Sequence, residues 1–170
     1  MLSKSTSHLM RLSFVPRWIV VPTIRKQNVA EHSFRVAVLC EDLVRKHEWS
    51  GDRAFKLRVL GLALRHDIDE VMTGDLPSQS KGTRKDPSLL NPEQLVVKIA
   101  DVIEALVFTY EEIGMGNRSM LPIRDDLINV LDQYWDHFPW ESTNAKPSLG
   151  QLVQDIFMSS DVSNHPLLQQ

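Results

Sequence analysis

A single cysteine, Cys40, leaves no internal disulfide framework and fits a reducing compartment. It falls in an apolar helical pattern, so it is expected in the core rather than as a nucleophile. No stretch approaches the roughly 20 apolar residues that a membrane-spanning helix needs. The opening MLSKSTSHLMRLSF lacks the apolar run of a signal peptide, so a cytoplasmic location is expected. No basic run suggests a nucleic-acid surface, and the net charge is −3. Strand signals are scarce: the one β-like run, WIVVPTI (18–24), is short and broken by Pro22. There is no repeat and no low-complexity segment. What remains, 42% hydrophobic and 24% charged over 170 residues, is the composition of one soluble domain, taken as 1–170.

Helix signals are plentiful, and the expected class is all-α, a bundle of about five to seven helices. NVAEHSFRVAVLCEDLVRKH opens on Asn28 with Glu31 three residues later, the spacing of a capping box. His32, Val36, Leu39 and Leu43 then recur at helical spacing, which places His32 on the inward face. A second helix is expected over roughly 52 to 72, starting at Asp52 with Leu57, Leu60, Leu64 and Val71 on one side, and stopped by Gly74 and Pro77. A polar segment, SQSKGTRKDPSLL, reads as a loop long enough to suspect a function. NPEQLVVKIADVIEALVFTYEEI carries Asn91 as cap, Pro92 at the first helical position and Gln94 at the box position. It is apolar on most sides, which marks a central helix. Residues 123–138 read as a fourth helix, and Ser148 with Gln151 caps a fifth, whose Leu149, Leu152, Val153, Ile156 and Phe157 form an amphipathic stripe.

Against this background three helices each carry something a core helix should not want. The stretch RHDIDE (65–70) joins His66 to Asp67 and sets Glu70 one helical turn after His66. His32 lies on the preceding helix and Asp101 on the following one. Asp101 is flanked by Ile99, Ala100, Val102 and Ile103, and an unpaired buried carboxylate costs several kcal/mol. Lys98, three residues earlier, is one source of compensating charge; a metal ion is the other. Two imidazoles and two carboxylates suit a divalent ion such as zinc, iron, cobalt or manganese. Taken singly, each of these residues is more often structural: a hydrogen-bonded core histidine, a chance His-Asp pair, an acid paired with a lysine. Together they point to a metal.

The pattern His32, His66–Asp67, Asp101 resembles the signature of the HD-domain metal-dependent phosphohydrolases. Within that superfamily RW (17–18), NVAEHSFRVA (28–37), HDIDEVMTGDLP (66–77) and VKIADVIEAL (97–106) are similar to the YfbR-like 5'-deoxynucleotidases. They are equally similar to the short phage-encoded dATP triphosphohydrolases. The match covers about residues 8–115, the motif-bearing core, with C-terminal helices expected over 123–160.

The resemblance implies His32, His66, Asp67 and Asp101 as metal ligands and Glu70 as the acid/base. It implies that Asp75 positions substrate or supporting groups, that Arg17 meets phosphate, and that Trp18 packs on the nucleoside and helps exclude a ribose 2'-hydroxyl. A solvated charge at Arg17 and a hydrophobic anchor at Trp18 are the plain alternatives. The segment between Asp67 and Asp101 is shorter than in the bacterial monophosphate nucleotidases. It still carries Lys81, Arg84 and Lys85, with Lys81 and Lys85 placed to bind phosphate. The implied reaction is metal-dependent hydrolysis of a 2'-deoxynucleotide at the α-phosphate, most simply dATP to deoxyadenosine and triphosphate. The alternatives are a 5'-deoxynucleotidase acting on monophosphates and a nucleotide-binding module without catalysis. A dinuclear-iron oxygenase would need further ligands; none of His8, His47, His137 and His165 is clearly spaced to supply them, and Asp69 would be the best extra carboxylate. The expected cofactor is one divalent ion per chain, manganese, cobalt, zinc or magnesium, with a second magnesium accompanying a triphosphate. The implied assembly is a homo-oligomer, dimer or hexamer, with no membrane or nucleic-acid polymer as partner. The shortened form suits phage-encoded control of nucleotide pools in a host cytoplasm.

Overall fold

Polar residues that cap the backbone, Asn28, Asp52 and Asn91, set where three of the core helices begin. The computed structural model describes residues 4–75, 86–139 and 151; among them the chain forms six α-helices and no strand. These are α1 (Lys4–Arg11), α2 (Val29–Lys46), α3 (Arg53–Ala63), α4 (Glu70–Thr73), α5 (Pro92–Gly114) and α6 (Leu121–Trp135). Asn28 caps α2, its side-chain oxygen accepting from the Glu31 N–H at 2.9 Å. The Glu31 carboxylate turns to Arg25 instead of closing a capping box. Asp52 caps α3 by accepting from the N–H groups of Ala54 and Phe55 at 2.8 and 3.0 Å. The box at α5 is complete: Asn91 accepts from Gln94 N–H at 2.8 Å, and the Gln94 side chain accepts from Asn91 N–H at 3.2 Å.

Helix α5 is central, as its sequence suggested, and packs against α2, α3 and α6. Its Val96, Ile99, Ala100, Ile103 and Leu106 meet Val36, Cys40 and Leu43 of α2, Phe55, Val59 and Ala63 of α3, and Leu131 and Trp135 of α6 in one core. Cys40 is fully buried, and burial, helped by the charge of Asp101, pushes its thiol up to about 12. It is a core residue, not a nucleophile.

Two expectations need correction. The buried row of α3 is Phe55, Val59 and Ala63, while Leu57 and Leu64 are 62% and 43% exposed. Lys56 pairs with Glu41 of α2 and Arg58 with Glu93 of α5, so positions 56 and 58 are the flanks and 55/59/63 face inward. Second, no helix spans 52–72: α3 stops at Ala63, residues 64–69 are turns, and α4 begins at Glu70. The β-like run 18–24 is a loop, in keeping with the all-α class. Glu112, fully buried on α5, accepts from the N–H groups of Ile24 and Arg25 at 2.7 Å each, taking donors that a strand ladder would have used. Gly74 closes α4 at φ +73°, a conformation natural to glycine. The fourth expected helix is α6; the fifth, like Pro77, lies outside the described residues.

His47 ends α2, fully buried among the rings of Trp49, Phe55 and Phe138, and its Nδ1 accepts from the Trp49 N–H at 3.0 Å. Burial holds its pKa below the ordinary value, only partly opposed by Glu48 and Glu93. The unfolded chain therefore binds the proton more readily, so this contribution is complete above the ordinary histidine value and lost as pH falls below about 6.5. Denaturant titrations across this range should show an acid decline that is shallower in His47→Phe; an identical decline in both proteins would contradict it.

Candidate metal centre

The local fold that builds the site starts with one side chain taking a helix's carbonyl. In a continued α3, the Ala63 carbonyl would accept from the Asp67 N–H; instead it lies 2.7 Å from His66 Nδ1. The following turns run on shorter bonds, Ile68 N–H to Arg65 O and Glu70 N–H to Asp67 O. His66 and Asp67 are thus presented from a turn, and Glu70 opens a new helix rather than sharing a face with His66.

That turn meets α2 and α5. His32 Nε2 lies 3.2 Å from His66 Nε2, 3.5 Å from Asp67 Oδ2 and 3.3 Å from Asp101 Oδ1. His66 Nε2 lies 3.2 Å from Asp67 Oδ2. Ligating atoms of His32, His66 and Asp101 all fall within 4.8 Å of one another. Three of the four expected ligands, His32, His66 and Asp101, thus form one cluster, and Asp67 lies beside it with Oδ2 3.5 and 3.2 Å from the two Nε2 atoms.

The outer partners of the two rings decide what faces inward. A backbone carbonyl only accepts, so His66 Nδ1 carries a proton. His32 Nδ1 is 2.6 Å from Oε2 of Glu104. Burial pushes that carboxyl up, but its bond to His32 and the charges of Arg17 and Arg35 outweigh this and hold it ionised. It too only accepts. In neutral rings both Nε2 atoms then carry lone pairs, and they face each other with two carboxylates alongside. Such a cluster of acceptors wants a cation, and imidazoles whose far nitrogens are hydrogen-bonded are the usual metal-ligating arrangement. The donor set fits a divalent ion.

Charge around the cluster agrees. Burial raises the Asp101 carboxyl, but Lys98, whose Nζ donates to Oδ2 at 2.7 Å, and then His32 and His66 hold it well below the usual range. Of the two sources of compensation foreseen for Asp101, Lys98 takes Oδ2, while Oδ1 is turned to His32 Nε2 at 3.3 Å. Burial lowers the His66 pKa, but the hydrogen bond and charge of Asp67, with Asp101, outweigh it and raise the pKa. Without metal the cluster favours a proton on His66; a metal and that proton compete.

Glu70 is 3% exposed. Asp75 Oδ2 accepts from the Trp18 N–H at 2.8 Å. Trp18 stands at φ +60°, a left-handed conformation costing a non-glycine residue roughly 1–2 kcal/mol. It is held there by Asp75, by stacking on Phe108 at 5.0 Å, and by its indole N–H donating to Gln27 Oε1 at 3.2 Å. The Arg17 side chain is 12% exposed and pairs with Glu104 at 3.2 Å, so it is not a solvated charge. Lys81, Arg84 and Lys85 lie outside the described residues.

The family description "5'-deoxynucleotidase YfbR-like" matches residues 5–90. A 5'-deoxynucleotidase of Klebsiella pneumoniae (strain 342) is 40% identical over 160 aligned residues, covering 74% of this chain and 80% of the relative. The chain belongs to the YfbR-like family. A dATP triphosphohydrolase of Salmonella phage PMBT28 is 34% identical over 133 residues, covering 65% of this YfbR-like chain and 69% of its own. In fold, the chain resembles the cyanophage S-2L HD phosphohydrolase DatZ, bound to dA and one catalytic Zn2+ ion, with a TM-score of 0.66 and 21% identity over all of both chains.

Sequence reasoning missed Glu104, Gln27 and Glu112, buried polar residues of this YfbR-like fold. Glu104 carried the same signal as Asp101, an acid inside the apolar run VIEALV. Gln27 and Glu112, at a loop end and near a helix end, carried none.

A ligand that binds only the folded site raises stability by mass action. Chelator-treated protein given zinc at 100 times its Kd should gain about 2.7 kcal/mol, or about 5–10 °C in Tm. Asp101→Asn should lose that shift; a variant with the full shift would remove Asp101 from the ligand set.

Proposed function

We propose that this chain hydrolyses 2'-deoxynucleotides at the α-phosphate, releasing deoxyadenosine and triphosphate from dATP. The observation that carries the proposal is the pair of facing Nε2 atoms with Asp67 and Asp101 beside them. The phage dATP triphosphohydrolase, at 34% identity, supports the triphosphate reading. The Klebsiella relative, at 40%, favours a second reading in which deoxynucleoside monophosphates are the substrates.

His32, His66, Asp67 and Asp101 hold one divalent ion, zinc, manganese, cobalt or magnesium, with a further magnesium entering on a triphosphate. When bound, such an ion acidifies water and draws charge from a phosphoryl oxygen. Water attacks the α-phosphorus and the bond to the 5'-oxygen breaks. Glu70 handles the proton, taken from the water or delivered to the departing oxygen. Arg17 offsets phosphate charge, and Lys81 and Lys85 hold the remaining phosphates. Trp18, fixed by Asp75, lies along the sugar where a 2'-hydroxyl would collide.

No helix among the described residues is long and apolar enough to cross a membrane, and we place the enzyme in the cytoplasm. Exposed Phe34 and Val38 on α2, Leu57 on α3 and Leu64 just beyond its end support a homo-oligomer, a dimer or a hexamer.

The test is product analysis with each metal returned singly to stripped protein, offering ribo- and deoxynucleoside mono- and triphosphates. Triphosphate with deoxyadenosine is expected; orthophosphate from monophosphates alone would select the second reading, and no product with any metal would leave only a binding module. Glu70→Ala should keep its metal content and lose about 10²–10⁴-fold in rate. Full turnover in that variant would refute the role given to Glu70.

A further inference from the structure

Glu104 gathers four side chains around one buried carboxylate. It is fully buried on α5, one helical turn beyond Asp101. Oε2 receives His32 Nδ1 at 2.6 Å and Arg17 Nη1 at 3.2 Å. Oε1 receives Gln27 Nε2 at 2.8 Å and pairs with the Arg35 guanidinium, whose Nε lies 3.2 Å away. Both oxygens are thus engaged, by groups from α2 and from the loop before it. The carboxylate cannot rotate without breaking hydrogen bonds on both sides.

Two consequences follow from these contacts. The His32 ring has a single acceptor at Nδ1, so its proton stays there and Nε2 stays free to bind. The Gln27 amide must point its nitrogen at Glu104, which leaves its oxygen for the Trp18 indole N–H. A continuous polar chain therefore runs from His32 through Glu104 and Gln27 to Trp18. Resting on the metal-centre reading, we infer that Glu104 is a positioning residue, which fixes the metal-binding tautomer of His32 and ties that ring to the loop bearing Arg17 and Trp18.

Glu104→Gln is the informative substitution because its size is conserved while its chemistry is not. All four partners are donors, so the new amide nitrogen must face two of them whichever way it turns. If it faces His32, the ring is driven to the other tautomer and Nε2 gains a proton. The probe is zinc alone, competed against a chromogenic chelator, on metal-stripped wild type and Glu104→Gln with helical content checked by circular dichroism. The expected result is a 10–100-fold weaker zinc affinity in a variant that remains helical. A purely structural Glu104 would lower the melting temperature yet leave the zinc affinity of the folded protein unchanged, and that outcome overturns the inference. Should Glu104→Gln fail to fold, 15N-histidine NMR of metal-free wild type at mildly alkaline pH decides. A His32 proton on Nδ1 is expected; a proton on Nε2, or tautomers in exchange, would overturn it. Failure of the wild type itself to bind zinc would instead refute the metal-centre reading on which this rests.

Discussion

Two imidazole Nε2 atoms, each in a ring whose Nδ1 faces an acceptor on the far side, meet at 3.2 Å between two carboxylates. Left alone, this is a concentration of lone pairs and negative charge in a partly buried place, which only a proton or a cation relieves. Much of the surrounding architecture exists to impose it. Helix α2 delivers His32 at its first turn, directly after the Asn28 cap, and α5 delivers Asp101 and Glu104 on neighbouring turns. The end of α3 is set by His66 itself, whose ring takes the Ala63 carbonyl and makes the chain turn.

A second layer ties this centre to the loop before α2. Glu104 reaches Arg17, Gln27 and His32 together, and Glu112 pins Ile24 and Arg25 further along the same loop. Trp18 is held in a left-handed conformation by contacts from three directions. Backbone strain of this kind persists only where the surroundings over-determine it, and it gathers where ligands are held. The pieces proposed to bind a metal and the pieces proposed to meet sugar and phosphate therefore share one polar framework.

Much of this was legible in the sequence because polar residues stood where apolar ones were due. Asn28, Asp52 and Asn91 announced three helix starts, and His32, His66, Asp67 and Asp101 broke apolar periodicity on consecutive segments. What stayed hidden has physical causes. The single helix expected over 52–72 failed because a side chain competing for a backbone carbonyl leaves no trace in periodicity. The leucine row of α3 looked like the core face, yet the pairs Lys56–Glu41 and Arg58–Glu93 turn the Phe55 row inward, and such pairing is settled only in three dimensions. Gln27 and Glu112 act across long sequence separations, so no local pattern could disclose them. Glu104 was visible by the argument used for Asp101, applied one turn later.

The central claim is that four side chains converge to hold one divalent ion. Anomalous diffraction at the zinc edge, from crystals of the zinc-loaded protein, tests it without reference to activity. The account predicts one strong peak per chain in contact with Nε2 of both His32 and His66 and with carboxylate oxygens of Asp67 and Asp101. A peak elsewhere, or zinc held without both imidazoles, would contradict it.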